Sequence, residues 1–350
     1  MENKPIVIGG KKIGNKFPPF IVAEAGINHN GELEKAFKMI EVAKDAGVDA
    51  IKFQTFKAEE FVSNKKQTFT YLSQGKEITE SMLEMFQRYE FNEDDWFKIK
   101  KKCDEENITF LSTPQNRSDL NLLLKLGIDA IKIGSDDFTN IPLLKSYAKT
   151  KLPLILSTGM ADMADVFNAL NAIGGLDGYP IILLLCTSEY PTPLENVNLL
   201  KLRTLAAAFP MVTLGFSDHT QGPLASALAV SFGASFFEKH FTLNNQLPGP
   251  DHWFSENPSK LKKWVLNIRE SYKMLGSGVI KPSKVENNNR KEFRRYIVAL
   301  KNINKGEIFT VDNIGMRRLT EGNGFLPMFF EYFLGEKSTR NFDKGEPIGI

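Results

Sequence analysis

Short apolar runs recur along the first two thirds of the chain, each closing on polar residues, and the segments between them carry apolar positions at three-to-four spacing. Read as strands, the runs are FIVAEAG (20–26), AIKFQTF (50–56), ITFLSTP (108–114), AIKIGS (130–135), LPLILST (152–158), IILLLCTS (181–188), VTLGFSDH (212–219) and SFFEKHF (235–241). LEKAFKMIEVAKDA, DDWFKIKKKCDEE and PLASALAVSF read as helices between them. Strands alternating with helices predict a parallel sheet, and eight of each predict a (β/α)8 barrel. Before the first run, Pro5–Ile8 and Lys12–Gly14 flank a GGKK turn and predict a hairpin. The interval Lys57–Asn92 is too long for an ordinary connection. It is expected to be an insertion over the barrel mouth, with ITESMLEMFQRYEF as an amphipathic helix whose Met82, Met85, Phe86 and Tyr89 pack inward. Past the last barrel helix (258–275), GSGVIKPSKVENNNRKEF has the composition of a linker. From Arg294 onward short β runs surround two related KGE turns, Lys305–Glu307 and Lys344–Glu346. The expected layout is a barrel over 1–280, a linker over 281–293 and a small β-rich domain over 294–350, whose marginal core calls for docking on a barrel, its own or a partner's.

The polar ends of the strands support the barrel independently. They are Glu24; Lys52 and Gln54; Ser112 and Thr113; Lys132 and Ser135; Ser157 and Thr158; Thr187 and Ser188; Ser217 and His219; Glu238 and His240. Residues two apart on a strand face the same side, so Ser217 with His219 and Glu238 with His240 project together. Barrel active sites sit at the C-terminal strand ends, whereas an open doubly wound sheet concentrates its chemistry at one switch point.

Composition narrows the function classes. In 350 residues, 44 Lys and Arg nearly balance 42 Asp and Glu, so no global field selects nucleic acid or a membrane surface, and any anion site must be local. Cys103 and Cys186 form neither a CxxC pair nor a disulfide framework, which suits a reducing cytoplasm. The N-terminus lacks the apolar stretch of a signal peptide, and IILLLC is far too short to span a bilayer. Neither GxxxxGK[ST] nor a strand-to-helix GxGxxG occurs, which counts against nucleoside triphosphate and dinucleotide folds.

Lys52 and Lys132 fall at in-facing positions, where a buried ammonium is costly unless it meets an anion. A phosphate or carboxylate held with the Ser135, Ser157 and Thr113 hydroxyls answers that, and pairing with a barrel glutamate is the plainer reading. His219 and His240 lie on adjacent strands and can share a divalent ion; two imidazoles with substrate or water oxygens suit Mn, Fe, Co or Zn better than Mg. A hydrogen-bonded imidazole pair without metal is the alternative. His29, in GINHNGE, is either a third contact or part of a helix-cap region, and His252 reads as a loop histidine. Glu24 and Glu238 either handle protons or neutralise the lysines. Of Asp136 and Asp137, one facing the site and both solvated are equally open readings.

The ordered motifs AEAGINHNGELEKA, KFQTF, FLSTP, KIGSDD, LSTGM, CTSEYPTP, GFSDHTQG and EKHFTLNNQLPGPDH, followed by a β-rich C-terminal segment, resemble the sialic acid (N-acetylneuraminate) synthase family over nearly the whole chain. The last segment resembles that family's antifreeze-like SAF domain, a β-clip. The resemblance implies a cytoplasmic, carbon–carbon bond-forming transferase that condenses phosphoenolpyruvate (PEP) with N-acetylmannosamine or a close amino sugar and water, giving a nonulosonic acid and phosphate. A legionaminic or pseudaminic acid synthase acting on a 2,4-diacetamido-2,4,6-trideoxyhexose is the alternative, as is a phosphorylated N-acetylmannosamine acceptor. By the same resemblance, His219 and His240 hold the metal, with Mn expected and Mg or Co as alternatives. Lys52, Thr113, Lys132, Ser135, Ser157, Ser188 and Ser217 hold PEP. Gln54, Tyr190 and Asp251 contact the sugar, and Glu24, Asp137 and Glu238 are the catalytic carboxylates, with water activated by Glu24 or Asp137. An arginine from the partner, Arg318 or its neighbour Arg317, reaches the sugar across a domain-swapped homodimer. Two departures bear on the sugar: Asp136–Asp137 stands where some members have Gly-Glu, and MRRLTEGNG lacks the usual Arg-Pro-Gly.

Overall fold

The structure, a computed structural model, describes residues 5–319 and 324–349. Most of MRRLTEGNG is therefore described, but its 320–323 stretch lies outside the described residues. The chain divides into two compact units, the first ending at Gly276 and the second starting at Ser277.

The first unit opens with β1 (Ile6–Ile8) and β2 (Lys11–Ile13), paired antiparallel. Gly9 and Gly10 turn the hairpin with positive φ, a conformation glycine takes without strain. The second strand pairs one residue earlier than the sequence pattern predicts. Next come β3 (Phe20–Gly26), β4 (Ala50–Thr55), an inserted hairpin of β5 (Thr68–Ser73) and β6 (Lys76–Ser81), then β7 (Thr109–Pro114), β8 (Ile131–Ile133), β9 (Leu154–Ser157), β10 (Ile181–Cys186), β11 (Thr213–Ser217) and β12 (Phe236–His240). Eight of these make one sheet in the order β7-β4-β3-β12-β11-β10-β9-β8, with every pairing parallel. β7 and β8, at the two ends of that order, pack against each other without a ladder, so the barrel is nearly closed. The predicted runs extend past the observed strands mainly at their polar ends. Those residues leave the ladder to form the loops that carry the polar side chains.

Alternation sorts the strand residues into two cores. Ile21, Ala23, Ile51, Phe53, Phe110, Ile131, Leu156, Leu183, Phe216 and Phe237 face outward and are buried under the helices. Phe20, Val22, Ala50, Leu111, Ala130, Ile155, Ile182, Leu184 and Phe236 face inward and meet Ile6, Ile8 and Ile13 of the β1–β2 hairpin, which plugs the N-terminal end. Phe20 and Phe236 stack there with ring centroids 5.5 Å apart. Among the described residues one buried charge sits at this end, Asp49, and it is fully engaged: Lys11 Nζ at 2.6 Å, Arg269 Nη2 at 2.6 Å and the donated Ile21 N–H at 2.7 Å.

Two expectations need correction. The helix predicted over ITESMLEMFQRYEF begins only at Met82; Ile78–Ser81 belong to β6, where Thr79 pairs with Thr70 and the Ser81 side chain then caps the helix Met82–Tyr89. Thr and Ile are strand formers, and tertiary pairing overrides the helical spacing. The expected linker is partly helical: Ser283 and Glu286 form a capping box at the start of the helix Lys284–Phe293.

The second unit has its own core of Ile297, Ala299, Ile303, Phe309, Ile314, Phe342 and Ile348. β13 (Arg295–Ala299) pairs antiparallel with β14 (Ile314–Arg318). The two KGE turns are related by an internal pseudo-twofold. The Lys305 N–H donates to the Asn341 side chain and the Lys344 N–H to the Asn302 side chain, while Ile303 and Phe342 exchange both backbone hydrogen bonds. Among the described residues no helix is long and apolar enough to cross a membrane.

Candidate active site

Above the apolar layer, the next in-facing positions of the same strands are Glu24, Lys52, Gln54, Thr113, Lys132, Ser157, Cys186, Ser217, Glu238 and His240. With Gln115, Ser135, Asp136, Met160, Ser188, Tyr190 and His219 from the loops, they line a cavity of about 390 Å³ at the C-terminal end of the barrel. The floor holds four ionisable side chains, Glu24, Lys52, Lys132 and Glu238, none more than 4% exposed. Lys52 Nζ lies 2.7 Å from Glu24 Oε2 and 3.9 Å from Glu238 Oε2, and it donates to Thr113 Oγ1 at 3.1 Å. Lys132 donates to Ser157 Oγ at 2.8 Å and lies 3.6 Å from Glu238 Oε1, which accepts from Ser217 at 3.1 Å. Glu238 Oε2 is nonetheless buried without a hydrogen bond, and Glu24 Oε2 has the Lys52 ammonium as its partner, with a lone pair to spare. Each glutamate thus keeps acceptor capacity facing the cavity.

Burial and charge pull these groups in opposite directions. Burial lifts the Glu24 carboxyl to about 7 against the opposing pull of Lys52. For Glu238 burial also pushes upward, but Lys132, Lys52 and His219 outweigh it and hold the carboxyl below its usual range. Burial lowers Lys132, while for Lys52 the two glutamates outweigh burial and raise it. Two nearby carboxyls with separated affinities for a proton suit acid–base work.

A second cluster of polar donors lies beside the floor. Ser135 Oγ accepts from the Gly159 N–H at 3.1 Å. A Cβ at position 159 would run into the Ser135 and Ser188 hydroxyls, so only glycine leaves this cradle open. Cys186, buried beside it, has its Sγ 3.5 Å from Ser135 Oγ and 4.0 Å from His219 Nδ1.

His219 and His240 have ring centroids 5.5 Å apart. A metal–nitrogen bond of about 2.1 Å lets two rings on one ion have centroids up to about 6.4 Å apart, so the pair can share an ion. His219 Nδ1 lies 2.8 Å from the Thr187 carbonyl, which only accepts, so that nitrogen carries a proton and Nε2 is the one that can bind an ion once it has shed its own. Burial holds His240 well below the usual imidazole range, hence neutral, and its Nδ1 is buried without a hydrogen bond, 3.8 Å from Asp251 Oδ2. Two imidazole nitrogens would leave a divalent ion to be completed by oxygens from water or substrate, because no group of three His, Cys, Asp or Glu able to hold one occurs among the described residues.

Behind the imidazoles, Lys239 points outward from β12 and is buried. Its Nζ donates to the Thr220 carbonyl, lies 3.0 Å from Asp218 Oδ2 and 3.9 Å from Glu256 Oε1. Asp218 also accepts from Thr220 and from Ser226, which Trp264 holds. The Glu256 backbone bridges His240 and Thr242. This network fixes the loop that carries His219 and the end of β12 that carries His240, and its out-facing charges lie on the side of the strand where the sequence pattern predicts only packing.

Other expectations sort as follows. Asp136 lines the cavity; Asp137 does not, and it accepts from Asn140 at 2.8 Å ahead of the helix Ile141–Ala148. Asp251 borders an adjoining recess together with Gln54, Tyr190 and His240. His29 is buried away from the cavity, stacked on Phe91 and accepting from the Gly31 N–H, and burial lowers it to about 3. His252 is a buried loop residue between Thr242 and Asn30. Thr158 turns back to the Leu184 carbonyl. Arg318 belongs to the second unit, exposed beside the Phe293 ring. Phe86, expected to pack, both packs and lines the mouth with Phe56, Phe61 and Phe69.

Residues 39–280 match the NeuB family and residues 294–349 the SAF domain. The chain belongs to the NeuB family. As a NeuB synthase it is a carbon–carbon bond-forming transferase that condenses PEP with an amino sugar. It is 42% identical to the N,N'-diacetyllegionaminic acid synthase of Campylobacter jejuni, over 94% of this chain and 98% of that one. It is 31% identical to the human N-acetylneuraminate-9-phosphate synthase, over 97% of this chain and 94% of that one. The solved N-acetylneuraminic acid synthetase of Leptospira borgpetersenii, in complex with citrate, superposes with a TM-score of 0.73 at 34% identity, covering 83% of this chain and 98% of that one.

Proposed function

We propose that this NeuB synthase condenses PEP with a 2,4-diacetamido-2,4,6-trideoxyhexose and water, giving a legionaminic-type nonulosonic acid and phosphate. The observation that carries the chemistry is the floor of the cavity, where two buried ammonium groups and a ring of hydroxyls surround two carboxylates that retain unused acceptors. Identity supports the diacetamido acceptor, at 42% to the legionaminic acid synthase against 31% to the N-acetylneuraminate-9-phosphate synthase. N-acetylmannosamine is the second reading, favoured by the likeness to the Leptospira enzyme.

In the proposed reaction Lys52 and Lys132 neutralise the carboxylate and phosphate of PEP, and Thr113, Ser135, Ser157, Ser188 and Ser217 donate to their oxygens. Held in that cradle, C3 of the enol bonds to the aldehyde carbon of the open-chain sugar, and the aldehyde oxygen takes up the proton of Glu24. Water then bonds to C2 and gives its proton to Glu24, whose affinity near neutrality suits that exchange; Asp136 replaces Asp137 as the second candidate. The bond from C2 to the phosphate oxygen breaks, the new C2 hydroxyl becomes the ketone, and phosphate leaves with its bridging oxygen and that hydroxyl's proton. Gln54, Tyr190 and Asp251 orient the sugar, and Arg318 of a second, domain-swapped copy is proposed to close over it. His219 and His240 are proposed to hold a divalent ion, Mn by preference, which when bound polarises the aldehyde oxygen. A reducing cytoplasm is the proposed setting.

The test is phosphate release with PEP and a panel of hexosamines, with and without chelator, the products identified by mass. Release that requires the acceptor, falls with chelator and yields the nine-carbon acid is expected. Acceptor-independent hydrolysis of PEP, or full turnover in excess chelator with no metal in the protein, would overturn the reaction or the metal respectively.

A further inference from the structure

We infer that an aromatic wall over the mouth, with the recess it borders, selects an acceptor whose end remote from the aldehyde is uncharged and methyl-bearing, and rejects a phosphorylated hexosamine. The inference deepens the proposed function and rests on it. The wall comes from the segment after β4: Phe56, Phe61, Phe69 and Phe86 all line the main cavity. It is rigid by packing, since Phe86 meets Phe56 and Phe61 edge-on with centroids 5.1 and 4.9 Å apart, over a base of Ile27, Met85 and Tyr89.

Beyond the wall lies the recess of about 330 Å³, bordered by Phe69, Tyr71, Leu72, Pro250, Trp253 and Phe254. Gln54, Phe69, Tyr190 and His240 line both spaces, so a sugar seated against the imidazoles extends into the recess. The polar groups there are few and suited to neutral partners. Gln54 offers an amide and Asp251 a carboxylate, which accept and orient hydroxyl or acetamido N–H groups.

Among the described residues no lysine or arginine borders the recess. The two cations of the main cavity, Lys52 and Lys132, stand on its floor beside Glu24, Glu238, Thr113 and Ser157, where PEP takes them up in the proposed reaction. A phosphate dianion in the recess would lose its water, find no counter-charge among the described residues of the same copy and face Asp251. Methyl groups from an acetamido or a 6-deoxy carbon would instead meet aromatic faces.

The test compares kcat/KM of the full-length enzyme at saturating PEP for three acceptors: the 2,4-diacetamido-2,4,6-trideoxyhexose, N-acetylmannosamine and N-acetylmannosamine 6-phosphate. The 6-phosphate is expected at least ~1,000-fold below the first, the cost of an unpaired buried charge. N-acetylmannosamine is expected ~10- to 100-fold below it, the limit of an apolar pocket against a hydroxyl. Leu72→Lys, at the recess, should raise the 6-phosphate relative to the others at least ~10-fold, and the milder Phe69→Leu should narrow the preference for the trideoxy sugar. Turnover of the 6-phosphate equal to that of the neutral sugars would overturn the inference alone. So would its turnover by wild type but not by Arg318→Ala, because a cation from a second copy would then cover the wall. No PEP turnover with any of the three would overturn the reaction and the inference together.

Discussion

At the N-terminal end of the barrel, Phe20, Val22, Ala50, Leu111, Ala130, Ile155, Ile182 and Phe236 fill the interior against Ile6, Ile8 and Ile13, and the one buried charge among the described residues there, Asp49, has a partner for each oxygen. Two residues further along the same strands stand Glu24, Lys52, Thr113, Lys132, Ser157 and Glu238, four of them ionisable, with Glu238 Oε2 left without a hydrogen bond. One end is satisfied and dry, and the other is charged and incomplete. Such incompleteness is tolerated because the shared strands are held from below and from outside by apolar layers, so the mouth contributes little to holding the barrel together. Stability and function are thereby separated along the strand axis.

Lys132→Met should therefore produce the largest effect on function and a small one on stability. With the proposed PEP contact gone, kcat/KM for PEP should fall ~1,000-fold or more. Removing an ammonium that burial already disfavours, while Glu238 keeps Lys52 and Ser217, should move the unfolding free energy by no more than about 1–2 kcal/mol. Steady-state kinetics and denaturant melts on one preparation measure both. Ile8→Ala, at the opposite end, should reverse the pattern: about 2–4 kcal/mol of stability lost for a fully buried isoleucine, with kcat of the folded enzyme within ~2-fold of wild type. A catalytic collapse in the hairpin variant, or a melting collapse in the lysine variant, would erase the separation.

The layering was legible in advance because period-two alternation is a property of the strand itself. Counting back two from Lys52 to Ala50, or from Glu238 to Phe236, gives the apolar layer directly. The same counting assigns Cys186 inward from Leu184 and Lys239 outward, yet neither drew notice: the first resembles a core residue, and the second is functional only through Asp218, Thr220 and Glu256, which lie far apart in sequence. The insertion was harder. Its hairpin depends on cross-strand pairs such as Thr70 with Thr79 and Tyr71 with Ile78, and its helical spacing continued seamlessly into the true helix at Met82. Asp137 is what the family resemblance implies; the residues alone leave it indistinguishable from Asp136 until the Asn140 side chain claims one of the two.

The finest test of the contrast between the two ends is titration. Glu24 carries a folded-state affinity of about 7, raised by burial above the ordinary 4.5, so its neutral form is the better tolerated one. The sign follows: the favourable contribution is whole below pH 4.5 and is lost as pH rises through 7. Glu24→Gln imitates the neutral form and cannot ionise. Its unfolding free energy relative to wild type should therefore be more favourable at pH 8 than at pH 5, by on the order of 1 kcal/mol. In the same variant the limb of the pH–rate profile near 7 should vanish, because the proposed water-activating carboxylate is gone. Stability curves that run parallel from pH 5 to 8 would mean that Lys52 holds Glu24 ionised throughout. The floor would then be a settled ion pair, like Asp49 with Lys11 and Arg269, and the difference between the two ends would lie in apolar packing alone.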